Sequence, residues 1–355
     1  MARSCDRPDE GKAFLRTSVK YRSAACGGTG GKTLANTTLT AIRGVRVGHA
    51  TDRKRRTGTT VVLVSPPAIA FADPRGGWPG TYDTAASDLG KTFITRHALF
   101  LTGGDIYGYD AARGIRRFLL ERKLATAIGG GTMPAIMGTN IYDLEYADAR
   151  GFDYTDLGYE ACVDATSQPV TQGSVGAGTG ATVGPFVRGT LGSKGGVGSS
   201  ASRVGRWTVG AIVVTNCIGN VYDPFETETI AGTHRKGRRD FLELHDVLDA
   251  YITKSVPRFG TTIGVLGTDA PLDHEQLARL VELAHDGIAL AVRPAHMSTD
   301  GDTLLGFATK QRQGSQVDYR EFDAIHHTAV QAVARSAVNA AKAAKVAGGV
   351  RGFKG

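Results

Sequence analysis

Two glycine runs in the middle of the chain constrain its fold more than any other feature: GSVGAGTGATVG over Gly173–Gly184 and GTLGSKGGVG over Gly189–Gly198. Glycine costs a helix interior about 1 kcal/mol relative to alanine. This stretch therefore argues against long helices and predicts tight turns and loops with backbones in close approach. The chain holds 48 glycines among 355 residues, about twice the usual share of ~7%, without the period of three that collagen requires. Its 41% hydrophobic and 21% charged residues are ordinary globular usage, enough for about two domains or one large core. No apolar run reaches the ~18 residues of a membrane span, so no membrane partner is expected.

On either side of the glycine-rich middle, β-branched runs bounded by turn residues predict strands. They are LTAIRGVRVGHAT from Leu39, TTVVLV over 59–64, HALFLT over 97–102, TVGAIVVTN over 208–216, a strand opening at Thr261 and TLLGFAT over 303–309. Helical spacing recurs after GGD at 103–105, over 241–252, over 273–292 and over 322–346. Asp273 and Gln276 form a capping-box pattern, and Pro294 is placed to stop the helix that follows it. Strands and helices mix throughout, which predicts a layered α/β or α+β fold. Residues 1–37 read as a flexible N-terminal extension.

Several kinds of chemistry are set aside. The net charge of +8 comes largely from two clusters, Arg53–Arg56 and Arg235–Arg239. Neither is interleaved with aromatics or placed in a nucleic-acid module, so no nucleic-acid partner is expected. GAGTGA at 176–181 satisfies a dinucleotide fingerprint in letters only, because no hydrophobic strand precedes it and no helix follows. No cofactor is expected. Nor is a metal: the nine histidines are scattered, HExxH is absent and Asp300-Gly301-Asp302 is too short for an EF-hand loop. The cysteines at 5, 26, 162 and 217 form no CxxC pair, and no secretory signal opens the chain, so a reducing, cytoplasmic location is expected.

One peptide bond stands out. In PRFGTTIGVLGTDA, Gly260 precedes a threonine pair that opens a strand. A glycine-threonine bond is an ordinary strand start, and it is also the chemistry of a self-cleaving precursor. In that chemistry the threonine hydroxyl attacks the preceding carbonyl and water opens the resulting ester. Cleavage would leave Thr261 with a free α-amine, whose ordinary pKa of about 7.7–8.0 suits a general base beside its own hydroxyl.

The ordered blocks LTAIRGVRVGHAT, LTGGDIYGYDAARG, NIYDL, GSVGAGTGAT, SKGGVGSSA, VVTNCIGN, GTTIGVLGTDAPL, AHDGIALAVRP and DGDTLLGFAT carry a resemblance. Over residues 38–345 the chain resembles the autoprocessing hydrolases of peptidase family S58, the L-aminopeptidase/D-esterases, β-aminopeptidases and nylon-oligomer hydrolases. The resemblance implies an α+β fold, a four-layer αββα sandwich of the N-terminal-nucleophile type. It also implies self-cleavage between Gly260 and Thr261, giving a large chain of residues 38–260 behind the extension and a small chain of residues 261–355. By the same likeness Thr261 is the nucleophile, Asn216 the oxyanion donor, and Tyr142 and Lys194 lie near the nucleophile. Asp300 and Asp302 match the acidic pair that assists cleavage and holds the amine, and they are expected to favour a substrate ammonium. The chain departs from the pattern in one respect: it pairs Gly260 with Thr261, where nylon-oligomer hydrolases carry Asn before Thr and the aminopeptidases commonly use Ser.

The implied function is an amidohydrolase that cleaves short substrates with a free amino end through an acyl-enzyme on Thr261. An alternative is a nylon-oligomer endo-hydrolase using the same site, and from another class a non-catalytic binding protein on the same fold. The implied assembly is a homo-oligomer of processed α/β units, commonly four.

Overall fold

The computed structural model describes residues 35–238, 240–255, 259–311 and 317–353. The expected extension lies outside these except for its last three residues, as do Cys5, Cys26 and Arg239 of the second basic cluster. The strands that matter are β1 (Val45–Asp52), β2 (Thr57–Pro74), β3 (Thr81–Tyr82), β4 (Thr95–Thr102) and β5 (Ile136–Asn140), followed by β6 (Gly196–Val204), β7 (Trp207–Asn216), β8 (Thr261–Leu272) and β9 (Thr303–Gln311). The helices are α1 (Ala111–Glu121), α2 (Thr155–Asp164), α3 (Leu248–Lys254), α4 (His274–Ala291) and α5 (Tyr319–Ala343). This is the mixed α+β composition that the alternating runs predict.

All nine strands belong to one sheet, in the order β6-β7-β8-β9-β2-β4-β5-β3, with β1 paired to β2. Strand alternation sends successive side chains to opposite faces. On β7, Val209, Ala211 and Val213 join a core cluster with the buried stripes of α4 and α5, while Ile212 and Val214 join another. That second cluster also takes Ile263 and Val265 of β8, Leu305 and Phe307 of β9, and Val62 and Leu99 of β2 and β4. Val61, Leu63 and Phe100, on the other face of β2 and β4, pack with Ile115 of α1 and Leu157 of α2 in a third. Burying a Val, Leu or Ile side chain contributes about 1.5–3 kcal/mol, so these three clusters fix the register of the sheet.

Helix α4 has the capping box read from the sequence: Asp273 Oδ1 accepts from Gln276 N at 2.8 Å, and Gln276 Oε1 accepts from Asp273 N at 3.2 Å. The helix expected over 241–252 is instead a short 3-10 turn, Leu244–Val247, continued by α3, and neither buries a residue. Its apolar residues Leu244, Val247, Ala250 and Tyr251 are only partly buried, against a small cluster of Phe186, Val187 and Ile218, which gives little packing energy to extend it. Among the described residues no helix is long and apolar enough to cross a membrane.

Candidate active site

Topology gathers the site at one end of the sheet. Strands β8 and β9 run parallel, so their first residues share an edge, and antiparallel β7 ends at the same edge. Asn216, the last residue of β7, therefore lies in register opposite Thr261, the first residue of β8. The turn that leads into β9 carries Asp300 and Asp302, and Asp300 bridges to Gly260. Five of the residues singled out from the sequence thus meet, although 86 positions separate Asn216 from Asp302 in the chain.

The Gly260–Thr261 bond is held from several sides. Thr261 is buried at 4% exposure, and its Oγ1 lies 2.5 Å from the Gly260 carbonyl oxygen. Gly301 N donates to that same oxygen at 2.9 Å, an arrangement suited to stabilising negative charge on it. Glycine is required at 260 by space: a Cβ there would sit 2.3 Å from Asp300 Oδ1 and 2.6 Å from Ile218 N. The chain's departure from Asn at this position therefore goes with a close approach of Asp300.

Asp300 and Asp302 are both fully buried. Asp302 Oδ1 accepts from Thr262 N at 2.6 Å, and its Oδ2 accepts from His296 N and Nδ1 at 2.9 and 2.8 Å. Asp300 Oδ2 accepts from Met297 N at 2.9 Å. Burial first, and the neighbouring Asp302 second, push the Asp300 carboxyl up to about 7, so it exchanges a proton near neutral pH.

The glycine-rich middle supplies the frame around Asn216. Asn216 Oδ1 accepts from Thr182 N at 2.9 Å and its Nδ2 donates to the Tyr142 carbonyl at 2.9 Å. One Nδ2 hydrogen remains beyond that bond. Lys194 is buried and donates to the carbonyls of Gly178, Ala181 and Gly195 at 3.1, 2.6 and 3.0 Å. Its three hydrogens thus tie together the loop that holds Asn216. Burial pulls the Lys194 amine down to about 7 and pushes buried Asp143 up to about 6, while each draws the other back toward its charged form.

A cavity of about 380 Å³ opens on this bond. Gly260 and Thr261 line it together with Trp78, Tyr142, Phe259 and Asp105. The Phe259 ring packs edge-on against Trp78 and Tyr142, with centroids 4.8 and 5.2 Å apart. Two lining features were not singled out from the sequence. Residues 78–80 belong to the loop after β2, where Trp78 N donates to the Asp300 carbonyl at 2.8 Å and docks that loop on the acid pair. The other is Asp105, in a left-handed turn after β4 (φ 51°). Asp105, rather than Asp300 or Asp302, is the carboxyl that lines the cavity.

A buried threonine hydroxyl on its own preceding carbonyl, an amide donor on that oxygen, an oriented asparagine and a cavity can together support acyl transfer without a cofactor. Residues 37–354 match the profile of peptidase family S58. The chain belongs to this family. Within it, the chain is 35% identical over 290 residues to an uncharacterized aminopeptidase of Mycobacterium tuberculosis, covering 76% of this chain and 81% of that protein. A 6-aminohexanoate-oligomer endohydrolase of Paenarthrobacter ureafaciens is 28% identical over 277 residues, covering 76% and 74%. The solved structure of the L-aminopeptidase D-Ala-esterase/amidase of Ochrobactrum anthropi superposes with a TM-score of 0.66 at 23% identity, covering 91% of this chain and 90% of that one. That structure is described as a variant of the Ntn hydrolase fold, and the S58 chain here shares its fold.

Proposed function

We propose that this S58 chain is a self-processing amide hydrolase of the N-terminal-nucleophile type, acting on short substrates with a free amino end. The observation that carries the reading is the Thr261 hydroxyl, 2.5 Å from the carbonyl oxygen of Gly260, itself held by Gly301 N. In the first reaction Oγ1 bonds to the Gly260 carbonyl carbon, the carbon–nitrogen bond breaks and the hydroxyl proton passes to the departing nitrogen. Water then opens the ester, releasing a Gly260 carboxylate and a Thr261 α-amine. In each later turnover that amine takes the Oγ1 proton, Oγ1 attacks a substrate amide, and the oxyanion accepts a hydrogen bond from the remaining Asn216 Nδ2–H. The leaving amine takes the proton, and water hydrolyses the acyl-enzyme.

The four-layer αββα stack is part of this reading. Two clusters roofed by helix pairs and a third held between strand faces support it. So is the division into residues 1–260 and 261–355. Intact mass and N-terminal sequencing of the purified protein test it. Two chains are expected, the smaller beginning Thr-Thr-Ile-Gly, and a single chain after long incubation at neutral pH overturns the reading.

The preference for an ammonium end rests on Asp105, on a cavity wall otherwise rich in Trp78, Tyr109, Tyr142 and Phe259. The higher identity to an uncharacterized aminopeptidase than to a 6-aminohexanoate-oligomer endohydrolase supports reading amino-acid amides and short peptides ahead of ω-amino oligomers. A hydrogen bond to a charged group contributes about 1.5–3 kcal/mol. Asp105→Asn is therefore expected to raise KM for glycyl para-nitroanilide about 10- to 100-fold with kcat little changed. Burial holds the Asp105 carboxyl above its usual range. The native protein should accordingly lose affinity as the pH falls and this carboxyl takes up a proton. An unchanged KM in the variant removes Asp105 from substrate binding.

A further inference from the structure

His296 belongs to no reaction step above, yet it touches the acid pair more closely than any other side chain. Its backbone is left-handed (φ 58°), an uncommon conformation for a residue with a side chain. That turn aims two successive amides at the two acids: His296 N donates to Asp302 Oδ2 at 2.9 Å and Met297 N to Asp300 Oδ2 at 2.9 Å. Successive N–H groups around a left-handed residue form a concavity for negative charge. The ring adds a further contact, Nδ1 to the same Asp302 Oδ2 at 2.8 Å. The other oxygen of Asp302 accepts from Thr262 N at 2.6 Å, one residue beyond the nucleophile.

We propose that His296 is a positioning residue for this site: by gripping Asp302 Oδ2 with its main chain and its ring, it fixes Oδ1 on Thr262 N and so sets the strand start that carries Thr261. The inference rests on the reading of Thr261 as the nucleophile. It also separates the roles of the two acids. Asp302 is the held member, with three donors on its two oxygens. Asp300, with the Met297 amide on one oxygen and the other against Gly260, is the member that takes up a proton beside the Gly260–Thr261 bond.

The groups around His296 are few. Asp302 and Asp300 face it from the turn before β9, and the His285 ring of α4 packs on it with centroids 5.0 Å apart. His285 in turn bonds the Asp73 carbonyl at 2.9 Å, and Asp73 pairs with Arg75 at 2.8 Å. Burial keeps His285 neutral down to about pH 4, so it adds no charge at neutral pH. His296 holds the Asp300 carboxyl below the value that burial and Asp302 alone would give it. Loss of the imidazole should therefore move the ionisation of the pair to higher pH.

The test compares His296→Gly and His296→Asn with the native full-length chain. Glycine keeps the left-handed turn without a ring. Asparagine tolerates that turn and offers a short N–H donor in place of Nδ1, but never a positive charge. The full chain is made by cell-free synthesis at a series of pH values. The fraction cut at Thr261 is followed by mass, and hydrolysis of glycyl para-nitroanilide by the cut protein is profiled against pH. The glycine variant is expected to cut and turn over about 10- to 100-fold more slowly at its optimum. The asparagine variant should recover to within about 10-fold of the native rate. In both variants the ionisation limb assigned to the acid pair should move up by about 1 pH unit. Native optimum rates for the glycine variant, or an unshifted limb in a folded asparagine variant, overturn the positioning role. A native chain that neither cuts nor hydrolyses overturns instead the assignment of Thr261.

Discussion

Thr261→Ala is expected to remain one uncut chain and to lose amide hydrolysis by at least ~10⁴-fold, the scale on which removing a covalent nucleophile acts. In the proposed mechanism one hydroxyl serves both reactions: it lies 2.5 Å from the Gly260 carbonyl oxygen that self-cleavage would attack, and Thr261 lines the cavity where substrate would be acylated. The loss should not come from unfolding. Alanine keeps the Cβ at the start of β8, whose register with β7 and β9 runs on through Leu266 and beyond. Deleting a hydroxyl and a methyl at a strand terminus costs roughly 1 kcal/mol, small beside the stability of a domain. Thr261→Ser keeps the hydroxyl and should still yield two chains. Intact mass reads the cleavage, and glycyl para-nitroanilide reads the turnover. An alanine variant that is cut before residue 261, or that hydrolyses the anilide at the native rate, places the nucleophile elsewhere.

Side-chain types were legible in the sequence well before their arrangement. Thr261, Asn216 and the DGD turn stand in recognisable blocks, but nothing local says that β7 ends where β8 begins. That juxtaposition follows from one antiparallel pairing across 45 and more positions and one parallel pairing across 39 or 40. Strands with β-branched runs were readable because both faces of β7 and β8 are buried, leaving no polar alternation to confuse them. Helix α2 was missed because its buried positions are Leu157, Gly158, Ala161 and Cys162, mostly small side chains that give little apolar periodicity. Strand β6, GVGSSASRV, hides among glycines for the same reason. Asp105 and His296 escaped on different grounds. Each is a polar residue in a left-handed turn, which in sequence is indistinguishable from an ordinary loop position. Only the packing of the Trp78 loop and of Phe259 puts Asp105 on a cavity wall, and only the fold of residues 296–302 puts an imidazole on Asp302.

Asn216→Ala is expected to lower kcat by about 10²–10³-fold with little change in KM, the cost of removing one prepositioned oxyanion donor. The amide is oriented before any substrate arrives. Thr182 N fixes Oδ1 and the Tyr142 carbonyl takes one Nδ2 hydrogen, so the second hydrogen has a set direction at the end of β7 opposite Thr261. A donor that need not reorganise acts on the charge that develops, which places its effect in kcat. Self-cleavage should survive the substitution, because the Gly260 oxygen takes its hydrogen bond from Gly301 N. The alanine variant is therefore expected as two chains that bind substrate and turn it over slowly, a combination that misfolding does not produce. Truncation also removes the Asn216 bonds to Thr182 N and the Tyr142 carbonyl, at about 0.5–1.5 kcal/mol of stability for each. Asn216→Asp separates the two effects: it keeps the acceptor for Thr182 N and replaces the donor with an oxygen. If the donor is what matters, the aspartate variant loses kcat at least as severely as alanine. If aspartate restores kcat, Asn216 is only a clamp on the glycine loop, and the oxyanion donor must be sought among the backbone amides around Gly301.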